Sequence, residues 1–443
     1  MLNYTYQLVT SNHKLPMKEL IKPLVITILT WQAKLVLKKK KPFIIGVTGN
    51  LGKTTTKDAI YYAMKDSVNV RRSQKSMNSE FGVPLTILGQ KSGWSNPIAW
   101  IVIIIKGMFV PFDEHYPTHL VLEIGADRPG DIKSIGGWVH PNITVVTQFG
   151  QVPVHIEFFK NRDAVVEEKG YLVKALKESG LFIWNADDHD ALTLLNKTDA
   201  RTMSIGIHSN DADIQAKNIA PYGETIEGTK ADILIKDKHY DLKIPGVLGK
   251  SSVYATLPAL AVAVELGIPV EKAIKGIVEA PHAPGRMRIL QGVNDTTIID
   301  DTYNASPKAT EHGLKTLEEL DIKGRKIAVL GDMLELGEYS RDEHYKIGMI
   351  AGKVVHKLLT VGIRSRVTAE GALDAKMKDE HILQCDTSIE AGKELMKLLK
   401  AGDVIYLKGS QGVRMERAVK MILASSHEPK LVLARQERHW QKR

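Results

Sequence analysis

The stretch Phe43-Ile44-Ile45-Gly46-Val47-Thr48-Gly49-Asn50-Leu51-Gly52-Lys53-Thr54-Thr55-Thr56-Lys57 decides how the remaining residues are read. An apolar, strand-like run enters a glycine-rich turn and a helix-like run leaves it, which is the context a phosphate-binding loop requires. Glycines let the backbone approach a polyphosphate and turn successive N–H groups toward it. A lysine then adds a point charge on the outer phosphates, and the following hydroxyl ligates magnesium. Lys53 and Thr54 suit those two tasks, Gly49, Asn50, Gly52 and Thr55 complete the cradle, and ATP is the expected ligand. The usual loop has a glycine at the position of Val47, so here Gly46 and Gly49 carry the turn. An ordinary strand-to-helix turn is the plain alternative for this stretch taken alone.

The chain of 443 residues is long enough for about three domains. Its 43% hydrophobic and 25% charged residues are ordinary for a globular enzyme. The single cysteine, Cys385, excludes an internal disulfide and any thiolate metal cluster, and suits a reducing cytoplasm. Net charge is +9, with basic clusters only at Lys38 to Lys41 and Arg435 to Arg443. Anionic substrates account for that excess. No aromatic-basic interleaving or helix-turn-helix pattern points to nucleic acid, which is not expected as a partner. Leu20 to Leu37 is interrupted by Lys22, Pro23 and Lys34, and Ile98 to Val110 is short and carries Lys106, so neither is expected to cross a bilayer. The first also lacks the small-residue cleavage site of a secretory signal. Residues 1–41 read as an amphipathic helical arm packed on the next domain, with weak contact to a membrane surface as the alternative.

From Lys41 onward strand and helix signals alternate, the pattern of a parallel sheet covered by helices in an α/β fold. Strands are expected at Phe43 to Thr48, His119 to Ile124, Ile143 to Gln148 and Leu181 to Asn185, with helices at Thr54 to Met64 and Asp163 to Lys177. Between Ser204 and Ile244 short alternating runs, among them Ala231 to Lys236 and Tyr240 to Ile244, suggest an antiparallel insertion, and helical periodicity returns at Tyr254 to Leu266. Beyond the proline-bearing Pro281 to Gly285, strands at Thr297 to Asp301, Lys326 to Leu330, Lys357 to Val361 and Asp403 to Leu407 alternate with helices at Lys308 to Leu320, Arg341 to Val355, Ser388 to Leu399 and Val413 to Leu423. The expected division is an arm over 1–41, a central ATP-binding domain over 42–284 and a Rossmann-like domain over 285–443.

Several distant segments match one pattern in order: Thr48 to Thr55, Asn78 to Thr86, Glu123 to Ala126, His155 to Phe158, Lys169-Gly170, Asn185 to Asp188, Pro284 to Arg286, Asp300 to Pro307, Gly331 to Gly337 with His344, and Lys408 to Ser410. By these the chain resembles the Mur ligases. Within that family it is most similar to the branch that joins D-alanyl-D-alanine to a UDP-linked muramoyl tripeptide. The resemblance implies an ATP- and magnesium-dependent ligase that phosphorylates a carboxylate and lets an amine displace the phosphate. Thr54 and Glu123 would hold a first magnesium, and His155 and Lys169 would serve a second. An ammonium cannot bind a cation, so the resemblance implies that Lys169 is carbamylated. Arg286 and Asp301 would reach the nucleotide from the second domain, Asn304 and Tyr303 would help position it, and Lys408 would lie near the reacting carboxylate. Asp332, Glu335 and His344 read as amine-substrate or interface residues, and a hinge is expected near Pro281 to Gly285.

Plainer roles exist for each: a solvated strand-end acid for Glu123, a structural histidine, a solvated helix charge for Lys169, a helix cap for Asn304 or Ser306. Two departures shape the expectation. About forty residues precede the phosphate loop where family members carry a domain gripping the UDP end, so acceptor recognition is expected elsewhere or from another chain, or the acceptor is a different one. Around Gly249 to Ala255, serines and Ala255 stand where relatives have a histidine–asparagine pair and a later asparagine, so adenine recognition is expected to differ. A ligase of the same superfamily acting on an amino-acid polymer or modified cell-wall peptide, and a non-catalytic nucleotide-binding partner, are the competing readings.

Overall fold

The protein is described here by a computed structural model covering residues 17–74, 76–93, 96–437 and 440. The first sixteen residues of the expected arm lie outside that range. Helix α1 (Met17–Lys40) runs directly into strand β1 (Phe43–Thr48), followed by helix α2 (Lys53–Met64) and β2 (Val70–Arg72). Helix α3 (Pro97–Phe109), β3 (His119–Glu123), β4 (Ile143–Val146), α4 (Arg162–Lys174), β5 (Leu181–Asn185) and β6 (Arg201–Gly206) continue the lobe. Strands β7 (Ile214–Tyr222), β8 (Gly228–Ile235) and β9 (Lys238–Pro245) then precede α5 (Lys250–Glu265) and α6 (Val270–Val278).

All nine strands form one sheet in the order β2-β3-β1-β4-β5-β6-β7-β8-β9. Pairing is parallel from β2 through β7 and antiparallel only at β7–β8 and β8–β9. The expected insertion is therefore an extension of the parent sheet. Isolated alternation over 204–244 could not show this, because the same period-two pattern serves a strand that pairs either way. Side chains of β1 divide by parity: Ile44 enters the core under α1 and α4, whereas Ile45 and Val47 enter the one under α2, α5 and α6. Since β1 lies between β3 and β4, the turn after Thr48 opens at the middle of the sheet's carboxyl edge, where open α/β sheets bind ligands.

The second sheet contains β10 (Arg288–Gln291), β11 (Thr297–Asp301), β12 (Lys326–Gly331), β13 (Lys357–Val361), β14 (Ile382–Cys385) and β15 (Val404–Lys408), ordered β10-β11-β15-β12-β13-β14. Only β10 is antiparallel to its neighbour. The helix expected over 413–423 is shorter, Glu416–Ile422, because Arg414 takes a left-handed backbone (φ 60°) that interrupts it. Short elements such as β2, β10, β14 and Gly82–Ile87 were too brief to show periodicity. Backbone hydrogen bonds Leu248 N–H to Met287 O (3.0 Å) and Ile289 N–H to Gly246 O (2.9 Å) stitch the lobes together at the joint.

Helix α6 crosses α2 closely at Gly276, where a Cβ would stand 2.2 Å from the Tyr62 carbonyl oxygen. Gly276→Ala should therefore cost about 1–3 kcal/mol of unfolding free energy, read from a shift of the urea midpoint at unchanged slope.

Candidate active site

Register delivers the first acid. Val47 of β1 lies opposite Glu123 of β3, so a carboxylate terminates the strand beside the one that launches the phosphate loop. Glu123 is 1% exposed. Its Oε1 accepts from the Thr54 hydroxyl (3.1 Å) and from Asn78 Nδ2 (3.1 Å), and its backbone N–H donates to Ser73 Oγ (3.1 Å). Its Oε2 accepts no hydrogen bond among the described residues, and the nearest cation is Lys57 Nζ at 3.9 Å. A buried carboxylate oxygen without a donor is costly unless a cation completes it. The donor set of hydroxyl plus carboxylate suits a hard cation such as magnesium. No group of three His, Cys, Asp or Glu side chains able to hold a metal occurs among the described residues, so water and phosphate oxygens would complete the shell.

The loop has the backbone a phosphate site needs. Gly49 (φ 133°) and Gly52 (φ 80°) occupy conformations closed to most side chains, and a Cβ on Gly49 would fall 2.1 Å from Thr147 Oγ1. Lys53 Nζ folds back on the carbonyls of Gly49 (2.8 Å) and Asn50 (3.3 Å), and Asn50 Nδ2 is buried without a partner. Desolvation lowers the Lys53 pKa. Glu123 and Asp127 oppose that shift, and Arg286 reinforces it from the second lobe. Arg286 stacks its guanidinium 4.1 Å from the Tyr303 ring centre, and its Nε is buried with no acceptor. Two cations and an orphaned amide thus converge where a polyanion would sit.

Lys169, on α4, is 3% exposed and has no hydrogen bond or ion pair among the described residues. Burial, followed by repulsion from Lys53, lowers its pKa to about 7. Much of this amine is neutral near neutral pH, unlike an ordinary lysine. Its neighbour Glu168 is consumed structurally, accepting from the N–H groups of Gly130 (2.8 Å), Ile132 (2.7 Å) and Lys133 (3.1 Å). His155, in a left-handed backbone (φ 71°), puts Nδ1 2.6 Å from Glu335 of the second lobe and Nε2 3.4 Å from Asp127. It makes no hydrogen bond to Lys169.

The second lobe contributes an ion pair. Lys408 Nζ lies 2.5 Å from Asp301 Oδ2 and 3.0 Å from the Asn304 carbonyl, and Tyr406 Oη donates to the same carboxylate (3.2 Å). Burial raises the Asp301 pKa, and Lys408 is the largest opposing influence. Asn304 Oδ1 accepts from Gln411 N–H (3.3 Å), while Ser306 caps the following helix, so the cap belongs to Ser306. Tyr303 crosses the cleft to Ser76 (2.8 Å). Gly285 is tied to the second sheet through Asp300 Oδ2 (3.1 Å) and Tyr303 N–H (2.9 Å), which fixes the end of the expected hinge.

Two expected substrate residues are structural. His344 Nε2 accepts from Met333 N–H (3.0 Å) with Nδ1 on Ser340 O (2.6 Å), and Asp332 accepts from Ser365 N–H (2.7 Å), so both shape the 331–337 loop. Within that segment Glu335 reaches His155 of the first lobe, and Gly337 lies against Glu157. Thr55 is half-buried in the first turn of α2 and makes no side-chain hydrogen bond among the described residues. Within the Gly249 to Ala255 stretch, Tyr254 Oη donates to Asp187 Oδ2 (2.8 Å). Sequence reasoning missed Ser73, Ser76 and Arg435. Arg435 is buried on Glu416 (3.0 Å) and donates to the carbonyls of Thr302 (3.2 Å) and Tyr303, so the basic tail holds the Asp301 to Asn304 segment from behind. Nothing in a cluster of basic residues signals that.

A phosphate loop facing a buried acid, with cations reaching it from a second α/β lobe, defines a nucleotide-dependent group-transfer enzyme of the P-loop class. Residues 47–263 match the Mur ligase middle domain, and residues 285–411 match the Mur ligase glutamate ligase domain. The chain is 30% identical over 403 residues to a UDP-N-acetylmuramoyl-tripeptide–D-alanyl-D-alanine ligase of Bacillus subtilis, covering 90% of this chain and 80% of that protein. A protein of the same name from Escherichia coli is 24% identical over 383 residues, with coverages of 86% and 76%. The solved MurF ligase of Thermotoga maritima in complex with ADP superposes with a TM-score of 0.73 at 27% identity, covering 90% of this chain and 83% of that one. The chain belongs to the Mur ligase family, and it is an ATP-dependent, ADP-forming ligase that makes amide bonds.

Lys408→Met should leave Asp301 buried without its cation and lower stability at neutral pH by about 3 kcal/mol. The folded-state pKa of Asp301 then rises further above its unfolded value. The folded form binds the extra proton, so the variant regains stability as pH falls toward 5. Denaturant titrations at the two pH values check the sign.

Proposed function

We propose that this enzyme joins D-alanyl-D-alanine to the terminal carboxylate of UDP-N-acetylmuramoyl-tripeptide, in the cytoplasm, as a step of peptidoglycan precursor synthesis. What carries the reading is the Thr54–Glu123–Asn78 cluster under the phosphate loop, with Arg286 and Asp301–Lys408 brought against it, in a chain that aligns along most of its length with ligases named for that reaction. Amide formation from a carboxylate and an amine is uphill in water. A carboxylate oxygen therefore attacks the terminal phosphorus of ATP and ADP departs. The neutral amine next attacks the acyl carbon, inorganic phosphate leaves, and the amine gives up a proton.

The residues divide this work. The N–H groups of Gly52, Lys53 and Thr54 cradle the phosphates, while those of Asn50 and Leu51 are held by the Gln148 carbonyl (2.9 and 3.0 Å), and Lys53 exchanges its two carbonyl partners for phosphate oxygens. Arg286 adds charge from the opposite side. The Asp301–Lys408 pair keeps a fixed cation close to the reacting carboxylate without exposing it to water. Thr54 and Glu123 are the ligands proposed for one magnesium, and His155 with a modified Lys169 for a second. Magnesium, when bound, neutralises charge on the phosphate oxygens. Because burial leaves a substantial share of the Lys169 amine as the free base, its nitrogen can bond to carbon dioxide with loss of a proton, giving a carbamate oxygen ligand. The UDP end of the acceptor is expected to be gripped outside the two sheets or by a second chain.

Purified enzyme given ATP, UDP-linked tripeptide and D-Ala-D-Ala should release ADP and phosphate in step with product, and omitting either acceptor or dipeptide should stop turnover. Stimulation only by a different acceptor would reassign the substrate. Lys53→Ala should reduce kcat/KM by about a hundredfold or more.

Labelled bicarbonate should give a carbamate carbon resonance in the native enzyme that grows as pH rises through about 7, and Lys169→Ala should abolish both the resonance and turnover. Full activity in that variant would remove Lys169 from the site.

A further inference from the structure

Helix α3 is built the wrong way round for a water-facing helix. Of its sixteen-residue continuation Pro97 to Phe112, only Lys106 is charged, yet Ile98, Ile101, Ile105, Phe109 and Phe112 point outward at 72, 58, 55, 68 and 68% exposure. Their spacing of three, four, four and three residues places them on one stripe. A monomeric protein rarely presents a contiguous apolar face of this kind without something to cover it.

The arm continues the face. Gln32 of α1 donates from Nε2 to the Ile104 carbonyl (2.7 Å), and Gly107 lets the helices approach, since a Cβ there would meet Gln32 Oε1 at 2.3 Å. Val25, Leu29, Ala33 and Val36 of α1 are buried, whereas Leu24, Trp31 and Leu35 remain outside beside α3. Charge along residues 22–41 has one sign. Residues 22–41 contain six lysines and no acid, and Lys39 Nζ sits 3.7 Å over the Phe112 ring, which fixes the Lys38 to Lys41 run at the rim of the apolar stripe. The nearest acids are Glu80, paired with Lys22 at 3.4 Å, and the exposed Asp113 and Glu114 beyond Phe112.

We propose that the joined outer faces of α1 and α3 dock on an anionic lipid bilayer surface, with the apolar stripe in the acyl boundary and the lysines on the headgroups. A second copy of the chain is a poorer fit, because self-pairing through this face would gather both lysine runs with few carboxylates between them. No helix among the described residues is long and apolar enough to cross a membrane, so attachment is from one side. The amino end of α1 reaches Glu80 and Phe81, next to the segment carrying Asn78, so docking would bring the cleft near the lipid surface.

The test is cosedimentation of the full chain with vesicles of phosphatidylcholine mixed with phosphatidylglycerol and with vesicles of phosphatidylcholine alone. Binding to the mixed vesicles, weakened by salt, is expected. Ile105→Glu and Phe109→Glu should each reduce it about tenfold, and replacing Lys38 to Lys41 by glutamine should reduce it without touching the apolar stripe. ATP turnover in solution should survive all three changes, which separates this proposal from the assignment of the reaction. No binding to anionic vesicles, equal binding by the variants, or a dimer in light scattering that Phe109→Glu dissociates would overturn it.

Discussion

The arrangement depends on one buried carboxylate with half of its valence left open. Glu123 is held by Thr54, Asn78 and Ser73, all within the first lobe, yet Oε2 has only a distant lysine. Such a group is unfavourable in isolation and becomes favourable when a cation and the phosphates that accompany it arrive. Binding energy is thus directed to the place where charge must be managed. Parallel pairing of β1 with β3 sets this up, because a one-residue slip would turn Glu123 to the opposite face of the sheet.

The second lobe meets this centre through polar contacts as well as through a hydrophobic cluster that runs across both lobes. Ser76 meets Tyr303, His155 meets Glu335, and Lys250 meets Glu319 at 3.2 Å. His155 and Glu335 both have left-handed backbones, a conformation that costs energy and is kept only where the surroundings enforce it. Behind Tyr303, Arg435 and Glu416 tie the Asp301 to Asn304 segment to the Glu416–Ile422 helix. The lobe therefore delivers Arg286, Asp301 and Lys408 as one rigid set.

Much of this was legible beforehand. The strand–loop–helix signal at Phe43 to Met64 placed the strand, the turn and the helix within a residue or two, since glycine spacing and hydrophobic periodicity are local properties. Strands at Thr297, Lys326, Lys357 and near Asp403 were equally plain. Misreadings arose where meaning is not local. His344 and Asp332 carry the residue types of a site but spend their hydrogen bonds on backbone groups. Arg435 read only as part of a terminal basic cluster, and it is buried. The run from Ile98 to Val110 read only as too short to cross a bilayer, and its outward direction could not be inferred from composition.

Local order therefore specified the elements, the phosphate loop and the kinds of residue available for chemistry, because backbone geometry and period depend on near neighbours. Which of those residues meet was settled by long-range register and lobe packing. That includes the pairing of Lys408 with Asp301, the proximity of Arg286 to Lys53 and the depression of Lys169's pKa, since burial and Coulomb interactions depend on distances between segments far apart in the chain.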